Sequence, residues 1–486
     1  MSTTLREQRL RGNSIVDRDR AQSQLGRRSQ AIRSARIGWA LCCTALVLLT
    51  PIVGPRTAQP ASRYALAAAI ADDGSVDVGR FASVLGVDHA IFEGRWRSDK
   101  GPGQPVLAAG AYKLARVFGA GPLDASSPVR GDLMLWWLTF VTALVPFAVL
   151  LMLTYRRAAR AAPATALVAA VSVLAGSIIL PHAVNLYAHT LSALLGFGAY
   201  IILDVPVRAM ESPTTATPIA WPRLVASGIF VGAAIATEYH LAIVAVALTV
   251  VVFRRSRFRG LVLFAVGSLA PLAGLAIYQW RAFGAFWRTP FAYYAGEIAG
   301  TTEGGYSLPT LRGIEWLTIG NRGLLISGPI LVIAVGCAVW QLRTRANDLQ
   351  HRADCALGVS VMVGYALLVA GWSGSVFLEE PGPRYLIPAI PFLVVPLALS
   401  WNAIRRIARP AAVWGAILMI AATVTVNLVP HDESIVAGYV RYIQQAKFRP
   451  TIWSMAFGGV GIWLYVASAL LALRWLWQSA KTKPHG

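Results

Sequence analysis

Long apolar runs, separated by short clusters of arginine, are the feature that most limits what this chain can fold into. A bilayer core of about 30 Å needs about 20 apolar residues per helix. Runs of nearly that length recur from residue 38 to residue 473. Of the 486 residues 56% are hydrophobic and only 14% are charged, against about 25% charged in a soluble domain. The shortfall excludes an ordinary soluble enzyme. It also excludes a disordered chain, which needs low hydrophobicity and high charge.

Spans are expected near 38–54, 132–154, 163–181, 187–203, 223–237, 240–253, 260–279, 323–340, 355–371, 385–401, 411–429 and 453–473. The pattern predicts an all-α polytopic membrane protein of about twelve transmembrane helices. The fifth and sixth spans are short and break at Glu238-Tyr239-His240. Arg223 lies before the pair, and Arg254, Arg255, Arg257 and Arg259 lie after it. Both outer ends should then face the same side, which requires a hairpin. With the N-terminus inside, the inner segments carry 27 Lys+Arg and the longer outer loops carry 17. The positive-inside rule therefore places both termini in the cytoplasm of a plasma-membrane protein.

Net charge is +21, which alone would fit a nucleic-acid binder. The basic residues sit beside apolar spans, however, and contact with anionic membrane lipids accounts for them; no nucleic-acid partner is expected. Residues 1–37 hold nine arginines and no lysine and read as a disordered basic arm on anionic headgroups, with 474–486 as a cytoplasmic tail. The four cysteines show no disulfide framework and no CxxC metal site.

The loop over 55–131 carries the chemistry. It is far longer than a normal helix connection, and such loops are usually functional. Residues 62–73 (SRYALAAAIADD) read as an Ala-rich helix stopped by Gly74 and lying at the interface. Asp72 and Asp73 fall at its C-terminal end, where the macrodipole disfavours acids; they read first as solvated, and alternatively as placed beside a cation or a basic partner. Between Asp88 and Lys100 lie the acids Asp88, Glu93 and Asp99 and the bases Arg95, Arg97 and Lys100, with Gly and Pro fixing the turns. An apolar helix over 105–119 should pin the cluster at the membrane surface. Carboxylates can act as a general base or hold a divalent cation, and Lys and Arg hold phosphate. The combination suits an anionic lipid headgroup meeting an acceptor that must lose a proton.

These stretches resemble a family. SRYALAAAIADDG followed by EGRWRSDKGPGQPVL looks like the first periplasmic loop of GT-C glycosyltransferases, closest in style to the protein O-mannosyltransferase and aminoarabinose transferase group. Arg63-Tyr64 and Lys100-Gly101-Pro102-Gly103 match the family's Arg-Tyr helix and its lysine turn. PGPRYLIPAIPFLVVPLAL (381–399), NRGLLISGPILV (321–332) and Tyr187-Ala188-His189 are similar to later motifs. In many relatives an Asp stands just before the Arg-Tyr helix. Here those positions are Pro60 and Ala61, so the carboxylate must come from elsewhere: Asp88 and Asp99 first, Glu93 third.

The resemblance implies transfer of a sugar, a pentose or hexose, from a polyprenyl-phosphate donor to a glycan, lipid or protein acceptor of the cell envelope; the Ala-, Arg- and Val-rich, Lys-poor composition suggests a high-GC bacterium, in which arabinose or mannose is a reasonable donor sugar. Lys100, Arg384, Arg95 and Arg63 are the candidate phosphate contacts. Tyr64, His189, Glu238, Tyr385 and Glu380 are candidates for the substrate cavity. Asp88 and Asp99 are the pair that could hold a divalent cation, Mg²⁺ or Mn²⁺. Glu238 is the one acid expected within the membrane, where a carboxylate costs about 2.5–3.5 kcal/mol and is usually functional or paired. Tyr293, Tyr294, Tyr306, Trp287, Trp316 and Trp372 read as an interfacial aromatic belt or a sugar-stacking surface. The rival class is a transporter or flippase of a lipid-linked anion, which would place its ionisable residues near the bilayer midplane, often on broken helices.

Overall fold

The computed structural model describes residues 29–121, 128–204, 219–294, 307–344, 349–372 and 379–481. Of the expected basic arm, residues 1–28 lie outside this set. Residues 29–37 belong to a helix, α1 (Ser29–Leu49), which begins nine residues before the expected start of the first span. Among the described residues six helical segments are long and apolar enough to cross a membrane: α1, Leu133–Ala161, Tyr239–Phe283, Gln350–Ala370, Arg384–Val424 and Gly459–Lys481. Four shorter apolar helices accompany them: Ala166–Ala175, His189–Leu203, Trp221–Thr237 and Pro329–Thr344.

The first outer loop folds as a small unit. Helix α2 (Ala58–Asp73) ends where Gly74 adopts the left-handed conformation, φ +61°. It does not lie on a surface. Residues Ser62 to Ala69 are buried, and α2 packs against α3 (Gly103–Val117). The Ala-rich sequence permits this, because small side chains let two helices approach closely. Between them in the sequence, and the exception to the all-helical pattern among the described residues, is an antiparallel hairpin of β1 (His89–Phe92) and β2 (Arg95–Ser98). Its two-residue turn, Glu93-Gly94, has positive φ at both positions (51° and 72°). That geometry matches the twist of a hairpin and is usually supplied by Asn-Gly or Asp-Gly. The basic partner of Asp72 and Asp73 is Arg80, at 2.8 and 3.5 Å.

Helix α4 (Leu133–Ala161), α5 (Ala166–Ala175) and α6 (His189–Leu203) lead to α7 (Trp221–Thr237) and α8 (Ala242–Phe283). The break between α7 and α8 falls at Glu238, whose backbone is extended. Helix α8 is too long for one crossing and is not straight. Arg257 inside it has φ 52°, ψ −155°, and the chain reverses there. The second half runs alongside α7: Gly228 sits against Phe264 and Gly267, and Gly232 against Ser268. The hairpin required by the arginines is present, with one turn at Arg257 and the opposite break at Glu238.

Helix α9 (Pro329–Thr344), α10 (Leu349–Ala370), α11 (Val394–Val424) and α12 (Gly459–Lys481) complete the bundle. Tight 3₁₀ turns over Arg384–Leu393, with Pro388 and Pro391, lead into α11. Arg384 and Asn427, at the two ends of this segment, both reach the Glu380 carboxylate, at 3.1 and 3.5 Å. A straight 41-residue helix would be about 60 Å long, so the segment doubles back. Helices α1 and α12 run antiparallel, joined by Thr44 Oγ1 to the Ala472 carbonyl and Tyr465 Oη to the Leu48 carbonyl. All four cysteines are free.

Candidate functional site: a charged cavity beneath the first outer loop

The Lys100-Gly101-Pro102-Gly103 turn docks the outer loop onto the end of α7. A Cβ on Gly101 would stand 2.6 Å from the Thr237 carbonyl oxygen, and one on Gly103 2.4 Å from Thr237 Oγ1. Only glycine allows this approach. Pro102 is the N-cap position of α3, and Gln104 on its first turn donates to Thr142 Oγ1 (3.1 Å) and to the Tyr187 carbonyl (2.9 Å). The outgoing strand of the hairpin is held by α8, through Arg97 Nε to the Ala282 carbonyl at 3.0 Å.

This docking closes a cavity of about 230 Å³, lined among others by Arg63, Asp99, Lys100, His189, Glu238, His240, Arg384 and Tyr385. Its charges are paired across different elements. Arg63 Nη2 of α2 lies 2.7 Å from Glu238 Oε1 at the α7–α8 break. Lys100 Nζ lies 2.6 Å from both Asp88 Oδ1 and Asp99 Oδ2. Ser62 donates to Asp99 Oδ1 at 3.1 Å. Burial pushes the Asp99 carboxyl above the usual carboxylate range, with the Asp88 charge adding to the effect and Lys100 opposing it. Burial pulls the Lys100 ammonium down, and Asp88 and Asp99 more than restore it, so it stays charged.

Two histidines complete the floor. His189 Nδ1 and His240 Nδ1 each stand 3.8 Å from a Glu238 oxygen. Both ring nitrogens of His189, Nε2 of His240, Nε and Nη1 of Arg63 and Nε of Arg384 are buried and make no hydrogen bond. Buried polar groups are nearly always satisfied, so this concentration of unsatisfied nitrogens around one cavity marks a place built for a polar ligand. Tyr385 stands edge-on to both His189 and His240, centroids 5.9 and 5.2 Å away.

Residues that the sequence separates by more than three hundred positions thus meet here. Arg63, Asp99, Lys100, His189, Glu238, Arg384 and Tyr385 line the cavity. Asp88 touches it only through Lys100. Glu93 and Arg95 sit exposed at the hairpin turn and do not line it. Tyr64 is buried in the loop's own core. Glu380 stands behind Arg384, at 3.1 Å, within reach of His182 and Asn427. Of the aromatics, Tyr294 lines the cavity, Trp372 packs against Tyr385 at 5.8 Å, Trp287 and Trp316 are exposed, and Tyr306 lies outside the described residues. His240, to which the sequence lent little weight, is a full member of the site. Its only signal was its place at a helix break beside an intramembrane acid.

The metal expectation changes. The ammonium of Lys100 occupies the position between Asp88 and Asp99 where a cation would bridge them. Among the described residues the donor set that fits an ion is His189, Glu238 and His240, whose ligand atoms all lie within 4.8 Å of one another. Two imidazoles and a carboxylate favour a transition-type divalent ion over Mg²⁺, which prefers oxygen ligands. Arg63 shares the Glu238 oxygen and would have to yield part of that contact.

The chain matches no protein-family model and no curated protein sequence. Among solved structures it is similar to the oligosaccharyltransferase of Archaeoglobus fulgidus in its apo form, with 12% identity and a TM-score of 0.43. The match covers 90% of this chain, which spans 59% of that enzyme's length.

Proposed function

We propose that this chain is a twelve-pass membrane glycosyltransferase of the GT-C type, which moves a sugar from a polyprenyl-phosphate donor to a cell-envelope acceptor on the outer face of the membrane. One observation carries the reading: Arg63, Lys100 and Arg384 converge with the carboxylates Asp99 and Glu238 on a single cavity at the junction of the first outer loop and the membrane helices. Twelve passes follow if the reversal at Arg257 and the doubling-back of Arg384–Val424 each split one long segment in two. The arginine-rich end of the bundle is then cytoplasmic, with both termini there, and the cavity is extracytoplasmic.

The roles follow from position. Asp99 takes the proton of the acceptor hydroxyl. Its raised proton affinity suits a general base better than that of an ordinary exposed aspartate. Arg384 and Arg63, whose guanidinium groups keep unpaired N–H donors in the cavity wall, hold the phosphate and stabilise the charge that grows on it as the sugar leaves. Lys100 adds a third positive charge, and Asp88 orients it. A cation held by His189, Glu238 and His240 would supply further neutralisation of phosphate charge. Tyr385 and Tyr294 offer ring faces to the sugar. Pentose and hexose donors, arabinose and mannose among them, are the class to test.

The test is transfer itself. Purified protein in lipid nanodiscs is given radiolabelled polyprenyl-phosphate pentose and hexose donors with membrane-extracted acceptors. Transfer, or donor hydrolysis in the absence of acceptor, is expected with at least one donor. Neither product with any donor would overturn the enzyme reading and favour carriage of a lipid-linked anion.

A further inference from the structure

A second basic cavity lies on the same side of the molecule, lined by a wholly different set of residues. It has a volume of about 500 Å³, and Arg56, Lys447 and Arg449 line it together with Val53, Phe448 and Pro450. No acidic residue is among its described lining residues. Its walls are two short connecting segments, the one that leaves α1 and the one that enters α12. They are tied to each other, Val53 N donating to the Pro450 carbonyl at 3.0 Å and Ile52 bridging Thr451. The cavity therefore sits at the rim where two membrane-crossing helices emerge, at headgroup depth.

Arg449 is the unusual member. It is 9% exposed, and its hydrogen bonds run to neutral oxygens: the carbonyls of Thr425 and Ala422 and the side chains of Asn185 (3.2 Å) and Asn427 (3.1 Å). A buried cation is ordinarily matched by a carboxylate, because an uncompensated charge is costly. Burial lowers this guanidinium to about 10, so it is still charged at neutral pH. Lys447 is exposed beside it. Its direct contacts are neutral dipoles, with the Glu380 carboxylate acting on it only beyond Asn427, and it stands next to two more basic residues at the mouth of an apolar-walled cavity.

We propose that this cavity binds the phosphate headgroup of an anionic amphiphile at the outer membrane rim, with Arg449 as the buried anchor and Arg56 and Lys447 as the accessible contacts. The apolar walls, Val53, Phe448 and Pro450, receive the start of the chain. The ligand chemistry is a phosphate monoester or diester, from a membrane lipid or a small phosphate. The site does not depend on the catalytic reading, since the two cavities share no lining residue.

The full chain, purified in neutral detergent, is titrated with phosphatidylglycerol and with phosphatidylcholine, and binding is read by native mass spectrometry. Saturable binding of phosphatidylglycerol, at least tenfold tighter than that of phosphatidylcholine, is expected. Arg56→Ala combined with Lys447→Ala, both exposed positions, should weaken it on the order of tenfold without moving the unfolding temperature. Arg312→Ala, an exposed cation outside the cavity, should leave it unchanged. Displacement by inorganic phosphate would mean that the phosphate alone is recognised. Failure of displacement would mean that the lipid is required, and both results uphold the site. Equal binding of the two lipids, or equal weakening by the Arg312 variant, would overturn it.

Discussion

The two ends of the helix bundle both bury charge, and they do so in opposite ways. At the end away from the first loop, Arg157 is enclosed by Asp354 and by Asp204 (3.3 Å), Tyr200 donates to Asp354, Arg160 reaches Asp204 at 3.0 Å, and Gln350 closes the set. Two carboxylates surround one buried arginine. At the loop end, Arg63 has one carboxylate oxygen and two unpaired nitrogens, and Arg384 keeps an unpaired Nε. The cluster away from the loop matches its arginine with two carboxylates and leaves one buried nitrogen, Arg157 Nε, without a hydrogen bond, which suits a structural lock. The cluster beneath the loop leaves six buried nitrogens of Arg63, His189, His240 and Arg384 without one around a cavity, which suits a binding site. About one helix length separates them, since α6 begins at His189 in one and ends beside Asp204 of the other.

This contrast predicts a division of effects. The largest should be on turnover at the outer end. Asp99→Asn is expected to lower the transfer rate by about 10²–10⁴-fold while leaving the unfolding transition of the detergent-solubilised protein intact. Asp354→Asn should leave turnover per folded molecule unchanged. If both variants lost turnover equally, the two ends would not differ as described. Next comes stability at the inner end. Asp354→Asn breaks a buried pair and should cost about 3–5 kcal/mol, measured by denaturant unfolding, whereas Asp99→Asn, which leaves Lys100 paired with Asp88, should cost less.

A smaller effect probes how the loop is docked. Gly103→Ala places a Cβ within 2.4–2.8 Å of Thr237 and should cost about 1–3 kcal/mol together with a loss of turnover. Gly110→Ala, on α3 with nothing within 4 Å, should be neutral or slightly stabilising. An equal cost for both would mean that the close approach carries no energy. The subtlest effect is on pH. Because burial raises the Asp99 carboxyl, the acid limb of kcat/KM should fall above the ordinary aspartate value of about 4, with rate lost as pH drops through it. The folded chain keeps this proton where the unfolded chain has released it. The Asp99 contribution to stability therefore declines as pH rises through the same window.

Much of the outer site was legible in the sequence because it is carried by a compact stretch. The acids and bases from Asp88 to Lys100 announce themselves by density, and the Lys-Gly-Pro-Gly turn by its composition. Helix ends were legible too: Gly74 stops α2, and the arginines at 254–259 mark a turn. The hairpin was missed because Glu-Gly is a weak turn signal beside Asn-Gly. The burial of α2 was missed because an alanine face reads alike at an interface and in a core. The sequence could not show that Lys100 would take both aspartates, nor that Glu380 would stand behind Arg384, because these depend on which of several nearby charges meet. The inner lock was invisible for a stronger reason. Arg157 and Asp354 are 197 positions apart, and nothing local to either marks it as paired.

The most direct test of the central claim is an experimental structure of the protein with a polyprenyl-phosphate carrier bound. The phosphate is expected in the cavity beneath the first loop, within hydrogen-bonding distance of at least two of Arg63, Lys100 and Arg384, with Asp99 beside the open face of the donor. A phosphate lodged at the inner end near Arg254 and Arg255, or a cavity left empty beside a bound carrier, would contradict the account.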